Sequence, residues 1–292
     1  MKTTTADICL DARATLAESP VWSNSDHALH WVDIERCQVH TFYPESGDDS
    51  FVDVGQPVGT VVRRVGGGAM VGVRDGFAEL DLATGELELI HDPEPGLASR
   101  FNDGKCDAVG RFWVGSAPTV TTFGSSCGLY CMSQDRSVRR VVGDVTVSNG
   151  LGWSPDSKTM YYVDTMLWGA DAFDFDLETG DVTNRRPIFR CEDGTYTDGL
   201  TVDEEGMLWV ARFGGGVINR WNPSTGKVIG RVEVPVPSVT SCTFGGPNLD
   251  RLYITSARLT LDDDTLRRYP QAGGIFVAEP GARGMAAFEF AG

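Results

Sequence analysis

The hydrophobic and polar positions of this chain repeat in a fixed order along its length. Each unit has a short apolar segment, a tight turn, a strongly apolar segment and then an alternating segment that usually ends in a turn with glycine. The alternation is clearest at residues 170–176, where Phe173 and Phe175 alternate with Asp174 and Asp176, as expected of a half-buried strand. The pattern indicates a series of short β-strands.

The strongly apolar segment occurs six times, and the residue at its centre measures the length of the repeat. These central residues are Trp31, Val71, Trp113, Tyr162, Trp209 and Tyr253. Their separations of 40, 42, 49, 47 and 44 residues are typical of propeller blades and not of a helical repeat. We therefore predict an all-β fold, a six-bladed β-propeller with four antiparallel strands per blade, as one domain over residues 1–292.

Polar residues recur at one position of the repeat, the start of the innermost strand of a blade. Counting back thirteen or eleven residues from the central residue, according to hairpin length, reaches Glu18, Asn102, Asn149 and Asp198. The other two blades have Val58 and Thr240 at this position. A propeller directs this position toward its axis, so we expect the two carboxylates and two amides to lie close together.

Carboxylate and amide oxygens without Cys or His are the ligands of a hard divalent cation such as Ca²⁺, Mg²⁺ or Mn²⁺. A cation would also relieve the repulsion between two carboxylates in a dry tunnel. The alternative is local, because Asn149-Gly150 and Asp198-Gly199 are also common turn dipeptides. The shared position of four residues favours the metal site.

Charge and cysteine content limit the partners and the compartment. The net charge of −16 opposes binding to nucleic acids and to anionic membranes, which need a basic surface. The seven cysteines form no CxxC pair, and the N-terminal residues contain no apolar run long enough for a signal peptide. We therefore expect reduced thiols and a cytoplasmic protein without a nucleic acid or membrane partner.

The region around residues 117–126 carries two further signals. Ser126 lies in a G-x-S-x-G pattern, but the residues after it read as a strand and no histidine shares the axial position, so a nucleophilic serine is disfavoured. The same hairpin is longer than usual. Thr119, Val120 and Phe123 are therefore candidates for a lid, and a variable surface loop is the alternative.

Over nearly its whole length the chain resembles the senescence marker protein, regucalcin and gluconolactonase family of six-bladed propellers. Segments that carry the resemblance include ESPVW at 18–22, RFNDGK at 100–105, SNGL at 148–151, DAFDFDL at 171–177 and DG at 198–199. The resemblance implies that Glu18, Asn149 and Asp198 bind one divalent metal and that Asp198 also accepts and donates a proton. It implies that Arg100 and Asn102 bind sugar hydroxyls.

Two roles stay open on the residues alone. The axial position does not decide whether Asn102 contacts metal or substrate, and Arg100 could instead form an ion pair. The chain also departs from the animal members, which carry a sugar-binding acidic residue in the loop where Pro118-Thr-Val120 stands here. We therefore expect a different sugar lactone, or a less polar lactone.

These observations predict a divalent-metal-dependent hydrolase of sugar lactones. Its cofactor would be one Ca²⁺, Zn²⁺, Mn²⁺ or Mg²⁺ ion that polarises the carbonyl, while Asp198 takes a proton from water. Its partner would be a small-molecule sugar lactone. Two alternatives remain, a metal-dependent esterase or phosphotriesterase with the same ring of residues, and a non-catalytic calcium-binding regulator.

Overall fold

The computed structural model of the chain describes residues 1–119 and 127–292. Its strands form six sheets, and the innermost strands of neighbouring sheets contact each other around a closed ring, with the last sheet against the first. The predicted six-bladed β-propeller is therefore confirmed. The apolar residues at the centres of the repeats, such as Trp31 and Trp113, are buried between blades.

The chain begins with two short strands, β1 (Lys2–Thr5) and β2 (Asp7–Leu10), which belong to the last two blades. Blades 1 to 4 are then built from consecutive strands that run from the axis to the rim. Blade 1 contains β3 (Ala17–Ser23), β4 (Ala28–Asp33), β5 (Gln38–Tyr43) and β6 (Asp48–Asp53). Blade 2 contains β7 (Val58–Arg63), β8 (Ala69–Val73), β9 (Gly76–Leu80) and β10 (Leu87–His91).

Blades 3 and 4 have the same order of strands. Blade 3 contains β11 (Ser99–Cys106), β12 (Phe112–Pro118), β13 (Cys127–Met132) and β14 (Val138–Val145). Blade 4 contains β15 (Ser148–Trp153), β16 (Thr159–Asp164), β17 (Gly169–Phe175) and β18 (Val182–Arg190). A single 3₁₀ turn, Thr165–Leu167, connects β16 to β17 on the side of the ring where the inner strands begin.

Blades 5 and 6 differ from the other four because the N-terminal strands join them. Blade 5 contains β19 (Tyr196–Val202), β20 (Leu208–Phe213), β21 (Val217–Asn222) and β22 (Lys227–Glu233). Blade 6 contains β23 (Val239–Gly245), β24 (Arg251–Ser256) and β25 (Ile275–Ala278). β1 pairs in parallel with β22 as a fifth strand, which the four-stranded prediction missed, and β2 pairs with β25 as the outermost strand of blade 6. Strands from both ends of the chain therefore close the ring.

One α-helix, α1 (Asp263–Arg268), is present in the described part of the chain, between β24 and β25. The Asp262 side chain accepts from the Thr265 amide and caps its first turn. Within residues 1–119 and 127–292, no helix is long and apolar enough to cross a membrane.

The inner strands of all six blades share a break in register near their first residues. The breaks lie between Glu18 and Val21, Val58 and Thr60, Phe101 and Gly104, Ser148 and Leu151, Thr197 and Leu200, and Val239 and Ser241. Each predicted axial residue lies at or within such a break. A β-bulge re-aims side chains out of the regular ladder, so the repeat uses it to present this position to the tunnel.

Glycines beside these bulges let the inner strands approach one another. A Cβ atom on Gly150 would lie 2.3 Å from the backbone nitrogen of Leu200, and one on Gly199 would lie 2.0 Å from the Ser241 hydroxyl oxygen. Any side chain would push these strands apart. The close approach draws the axial residues of blades 4 and 5 together.

The C-terminal segment crosses the other end of the tunnel. The Glu204 amide donates to the Arg283 carbonyl at 2.9 Å, and the Phe290 amide donates to the Arg63 carbonyl at 2.9 Å. The Phe290 side chain is fully buried between blades 2 and 3. The segment thereby links blade 5 to blade 2 across the axis.

Candidate metal and substrate site

The four polar residues at the axial position are buried where the inner strands begin. Glu18, Asn102, Asn149 and Asp198 have exposed fractions of 4%, 6%, 5% and 8%. The side chains of Asn149 and Glu18 lie close enough to the Asp198 carboxylate to affect its pKa. The structure thus brings together the three residues that the resemblance assigns to a metal.

A strained residue positions Glu18. Ser19 has a φ of 44°, in the left-handed region that non-glycine residues rarely occupy, and its amide donates to Oε2 of Glu18 at 2.8 Å. The Ser19 hydroxyl donates to Oδ1 of Asp103 at 3.0 Å. Asp103 therefore holds the bulge of β3 in place through Ser19. The backbone amide of the bulge in turn orients the Glu18 carboxylate.

The side-chain amide of Asn149 is oriented by two contacts. Its Nδ2 donates to the Thr165 hydroxyl at 3.1 Å, and its Oδ1 accepts from the Gly150 amide at 3.0 Å. A carbonyl oxygen has two lone pairs, so Oδ1 keeps acceptor capacity for a further partner. Thr165, at the start of the 3₁₀ turn, therefore sets which end of the amide is the acceptor.

The surroundings of the carboxyl groups of Glu18 and Asp198 disfavour their negatively charged forms. Burial, followed by the nearby carboxylates of Asp198 and Asp103, raises the pKa of Glu18 well above its usual value. Burial also raises the pKa of Asp198, with Asp103 adding to it, while the neighbouring side chains of Asn149 and Glu18 oppose the rise. Two such groups in contact keep negative charge only if a positive charge compensates them.

These residues fit a hard divalent cation. The donor set consists of two carboxylates and one amide oxygen, which are the ligands that Ca²⁺ and similar ions prefer. Among residues 1–119 and 127–292, no three His, Cys, Asp or Glu side chains are grouped to hold a metal. The Asn149 amide is therefore needed to complete a set of three ligands.

Asn102 and Arg100 form a separate pair at the edge of this group. Nη1 of Arg100 donates to Oδ1 of Asn102 at 2.7 Å and to the Phe101 carbonyl at 3.0 Å. Nδ2 of Asn102 donates to the Ser148 carbonyl at 2.7 Å. Because its amide oxygen already faces a guanidinium, Asn102 is poorly placed to bind a cation as well, which favours the substrate alternative.

Asp103, which is buried, and Lys105, which is half-buried, lie beneath the site and were not identified from the sequence. Oδ1 of Asp103 also accepts from the Gly104 amide at 2.8 Å, and its Oδ2 is buried with no hydrogen-bond partner among residues 1–119 and 127–292. The Lys105 ammonium donates to the Leu200 carbonyl, and its charge opposes the rise that burial causes in the pKa of Asp103. The motif RFNDGK could have identified Asp103, because this residue directly follows the axial residue Asn102 in a bulge.

The predicted lid is only partly within the described residues. Thr119 is exposed at the end of β12, and its amide donates to the Ala98 carbonyl at 2.9 Å. Val120 and Phe123, like Ser126, fall outside the described residues. The lid therefore stays a prediction.

Comparisons with known proteins identify the family of the chain and agree with its fold. A family model described as the SMP-30/Gluconolactonase/LRE-like region matches residues 16–258. Regucalcin of Xenopus laevis is 38% identical over 287 residues, which cover 95% of each chain.

Two solved structures are also similar. A luciferin-regenerating enzyme has a TM-score of 0.90 at 32% identity and covers 98% of this chain and 99% of its own. Regucalcin of Agrobacterium tumefaciens, described as a calcium-binding protein, has a TM-score of 0.92 at 26% identity and covers 99% of each chain.

Proposed function

Because the chain belongs to the SMP-30/Gluconolactonase/LRE-like family, we propose that it is a divalent-metal-dependent lactonase that acts on sugar lactones. The observation that carries the proposal is the buried contact of Glu18, Asn149 and Asp198 at the axis. Oxygen ligands of this kind suit Ca²⁺, Zn²⁺, Mn²⁺ or Mg²⁺, and the calcium-binding description of the Agrobacterium tumefaciens regucalcin supports Ca²⁺ as the first ion to test.

When bound, the cation would act as a Lewis acid toward the lactone carbonyl. Asp198 would accept a proton from the attacking water and return it to the leaving alcohol. Arg100 would donate hydrogen bonds to substrate hydroxyls, with its guanidinium oriented by Asn102.

The rest of the chain suits a small-molecule enzyme. The net charge of −16 disfavours nucleic acids and anionic membranes as partners. The seven cysteines are free, and Cys106, Cys127, Cys131 and Cys242 are buried, so we place the protein in the reducing cytoplasm.

The test is a substrate panel on protein treated with a chelator and then supplied with one cation at a time. We expect aldonolactones to be hydrolysed only after a divalent cation is restored. Asp198→Asn should lower kcat by about 10²–10⁴-fold, the range for loss of a general base. Asp174→Asn, an exposed carboxylate on β17, is the matched control and should retain activity.

The same panel includes aryl esters and phosphotriesters, which test the alternative hydrolase. Their hydrolysis in place of lactones would replace the proposed substrate class but keep the site. Tight Ca²⁺ binding without hydrolysis of any substrate would instead support a non-catalytic calcium-binding regulator, the role that the calcium-binding description of a relative favours. Full lactonase activity in Asp198→Asn would contradict the proton-transfer assignment.

A further inference from the structure

Three apolar side chains are exposed together on the side of the ring where the inner strands begin. Leu167, Trp168 and Tyr196, here called the aromatic platform, have exposed fractions of 40%, 37% and 39%. The rings of Trp168 and Tyr196 meet edge to face, with centroids 5.9 Å apart and planes at 78°. Large apolar groups left in water at one place indicate a surface that binds something.

The platform borders the candidate metal ligands on two sides. Tyr196 is the first residue of β19 and precedes Asp198 by two positions, so it comes from the same inner strand. Trp168 directly follows the 3₁₀ turn whose first residue, Thr165, accepts the hydrogen bond from Asn149. A molecule with its reactive group at Asn149 and Asp198 therefore has the platform beside it.

Trp168 is held in an unfavourable backbone conformation. Its φ of 57° and ψ of 36° lie in the left-handed region, where a bulky residue is an outlier. The conformation is maintained by the Trp168 amide, which donates to the Thr165 carbonyl at 3.0 Å, and by the Cys191 amide, which donates to the Trp168 carbonyl at 2.7 Å. Strain of this kind, together with an exposed indole, is characteristic of functional sites.

A buried arginine fixes the loop that supports the platform. Arg212 is 1% exposed, and its Nη2 donates at 2.6 Å to both Oδ1 of Asp193 and the Thr195 hydroxyl. Its Nη1 lies 2.6 Å from Sγ of Cys191. The loop from Cys191 to Thr195 begins at the residue whose amide binds the Trp168 carbonyl and ends directly before Tyr196. Both rings are therefore positioned before any ligand binds. Such preorganisation reduces the entropy lost on binding.

We propose that the aromatic platform is a substrate subsite for an apolar alkyl or aryl substituent of the lactone. The proposal rests on the proposed function, because it assumes that the lactone carbonyl lies at Glu18, Asn149 and Asp198. Leu167 has no polar side-chain atom, and the two rings offer their edges and faces, so the platform matches hydrocarbon better than a chain of hydroxyls. The preferred substrates are lactones that carry such a substituent.

The test compares an alkyl-substituted δ-lactone with glucono-δ-lactone. In Trp168→Ala, the ratio of kcat/KM for the alkyl lactone to that for glucono-δ-lactone should fall about 30-fold, the size expected for truncating an aromatic anchor, and the change should be in KM. Trp168→Phe should restore most of the ratio. Phe51→Ala, which removes a 55% exposed aromatic on the rim of blade 1, is the matched control and should leave the ratio unchanged.

A second readout does not depend on catalysis. Calorimetry with the alkyl-substituted δ-lactam, which is not hydrolysed, should show about 30-fold weaker binding to Trp168→Ala and to Tyr196→Ala than to the wild type. If the wild type binds the lactam through Trp168 but hydrolyses neither lactone, the subsite stands and the proposed function fails. An unchanged ratio and unchanged lactam affinity in Trp168→Ala, or an equal loss for both lactones, overturns the subsite.

Discussion

The two ends of the central tunnel are formed by the same six inner strands but carry opposite kinds of surface. Where the strands begin, their bulges aim polar residues at the axis, and Glu18 and Asp198 are buried there with raised pKa values. Where the strands end, the ladders are regular and the C-terminal segment packs across them with Phe290 fully buried. We infer that the closed end stabilises the ring, so that the other end can hold groups that destabilise it.

The boundary between the two ends is a cavity of about 100 Å³ along the axis. Ser19, Asp103 and Lys105 line it on the side of the polar site, and residues from Met285 to Phe288 line it on the other side. A substitution on the side of the polar site should therefore affect mainly ligand binding. A substitution on the side of the C-terminal segment should affect mainly stability.

We expect the largest loss of stability from a substitution at the closed end of the tunnel. Phe290→Ala would open a void in the cluster that also contains Phe77 and Phe112, and should lower the free energy of unfolding by about 3–5 kcal/mol. Denaturant unfolding measures the loss, and metal affinity of the folded protein should not change. The matched control is Phe288→Ala in the same segment, which is 44% exposed and should cost less than about 0.5 kcal/mol. Equal losses in the two variants would show that the segment does not anchor the ring.

A smaller effect is expected at the polar end, from the close approach of blades 4 and 5. Gly150→Ala places a methyl group 2.3 Å from the Leu200 nitrogen and 2.9 Å from the Asp198 carbonyl oxygen, so the strands must separate. We expect a loss of about 1–3 kcal/mol in unfolding free energy, with weaker metal binding measured by calorimetry. Gly230→Ala, whose nearest neighbour would be 3.5 Å away, is the control and should change neither quantity. Wild-type metal affinity in Gly150→Ala would show that the approach of these strands does not position Asp198.

The smallest effect concerns a histidine near the closed end. His30 is buried, its Nε2 lies 3.3 Å from Asp26, and Arg63 forms a 3.0 Å ion pair with the same carboxylate. Burial and Arg63 lower the pKa of His30 from 6.5 to about 4. The unfolded chain therefore binds a proton that the folded protein does not, and the stability that His30 contributes is present above pH 6.5 and is lost as the pH falls toward 4.

Between pH 6.5 and about pH 5.5 this linkage should remove about 1 kcal/mol of unfolding free energy. The measurement is the difference in pH dependence between the wild type and His30→Asn, which cancels the contributions of other groups. An identical pH dependence in both proteins would mean that His30 is not the group responsible.

The periodicity of the sequence was enough to predict the blades and the residues that face the axis. Spacing alone located Glu18, Asn149 and Asp198, because every blade repeats the same hairpin and the same axial position. The fifth strand of blade 5 was not predictable in this way. Lys2–Thr5 has no alternation of apolar and polar residues, and it pairs with β22 only because the closed ring brings blade 5 beside the start of the chain.

The residues around the site were harder to predict, because contacts between blades create them. Asp103 supports Glu18 through Ser19, which lies 84 residues away in the chain. Trp168 and Tyr196 come from different blades, and neither lies at the axial position. A repeat pattern shows which residues share a position within a blade, but it does not show which side chains of two blades meet.

The most direct test of the central claim is calorimetric titration of chelator-treated protein with Ca²⁺, Zn²⁺, Mn²⁺ and Mg²⁺. The wild type and the Phe290→Ala variant should each bind about one equivalent of at least one of these ions. Asp198→Asn should bind it at least about 100-fold more weakly, since a direct ligand matters at least as much as the groups that orient it. Wild-type affinity and stoichiometry in Asp198→Asn would contradict a metal site at the start of the inner strands.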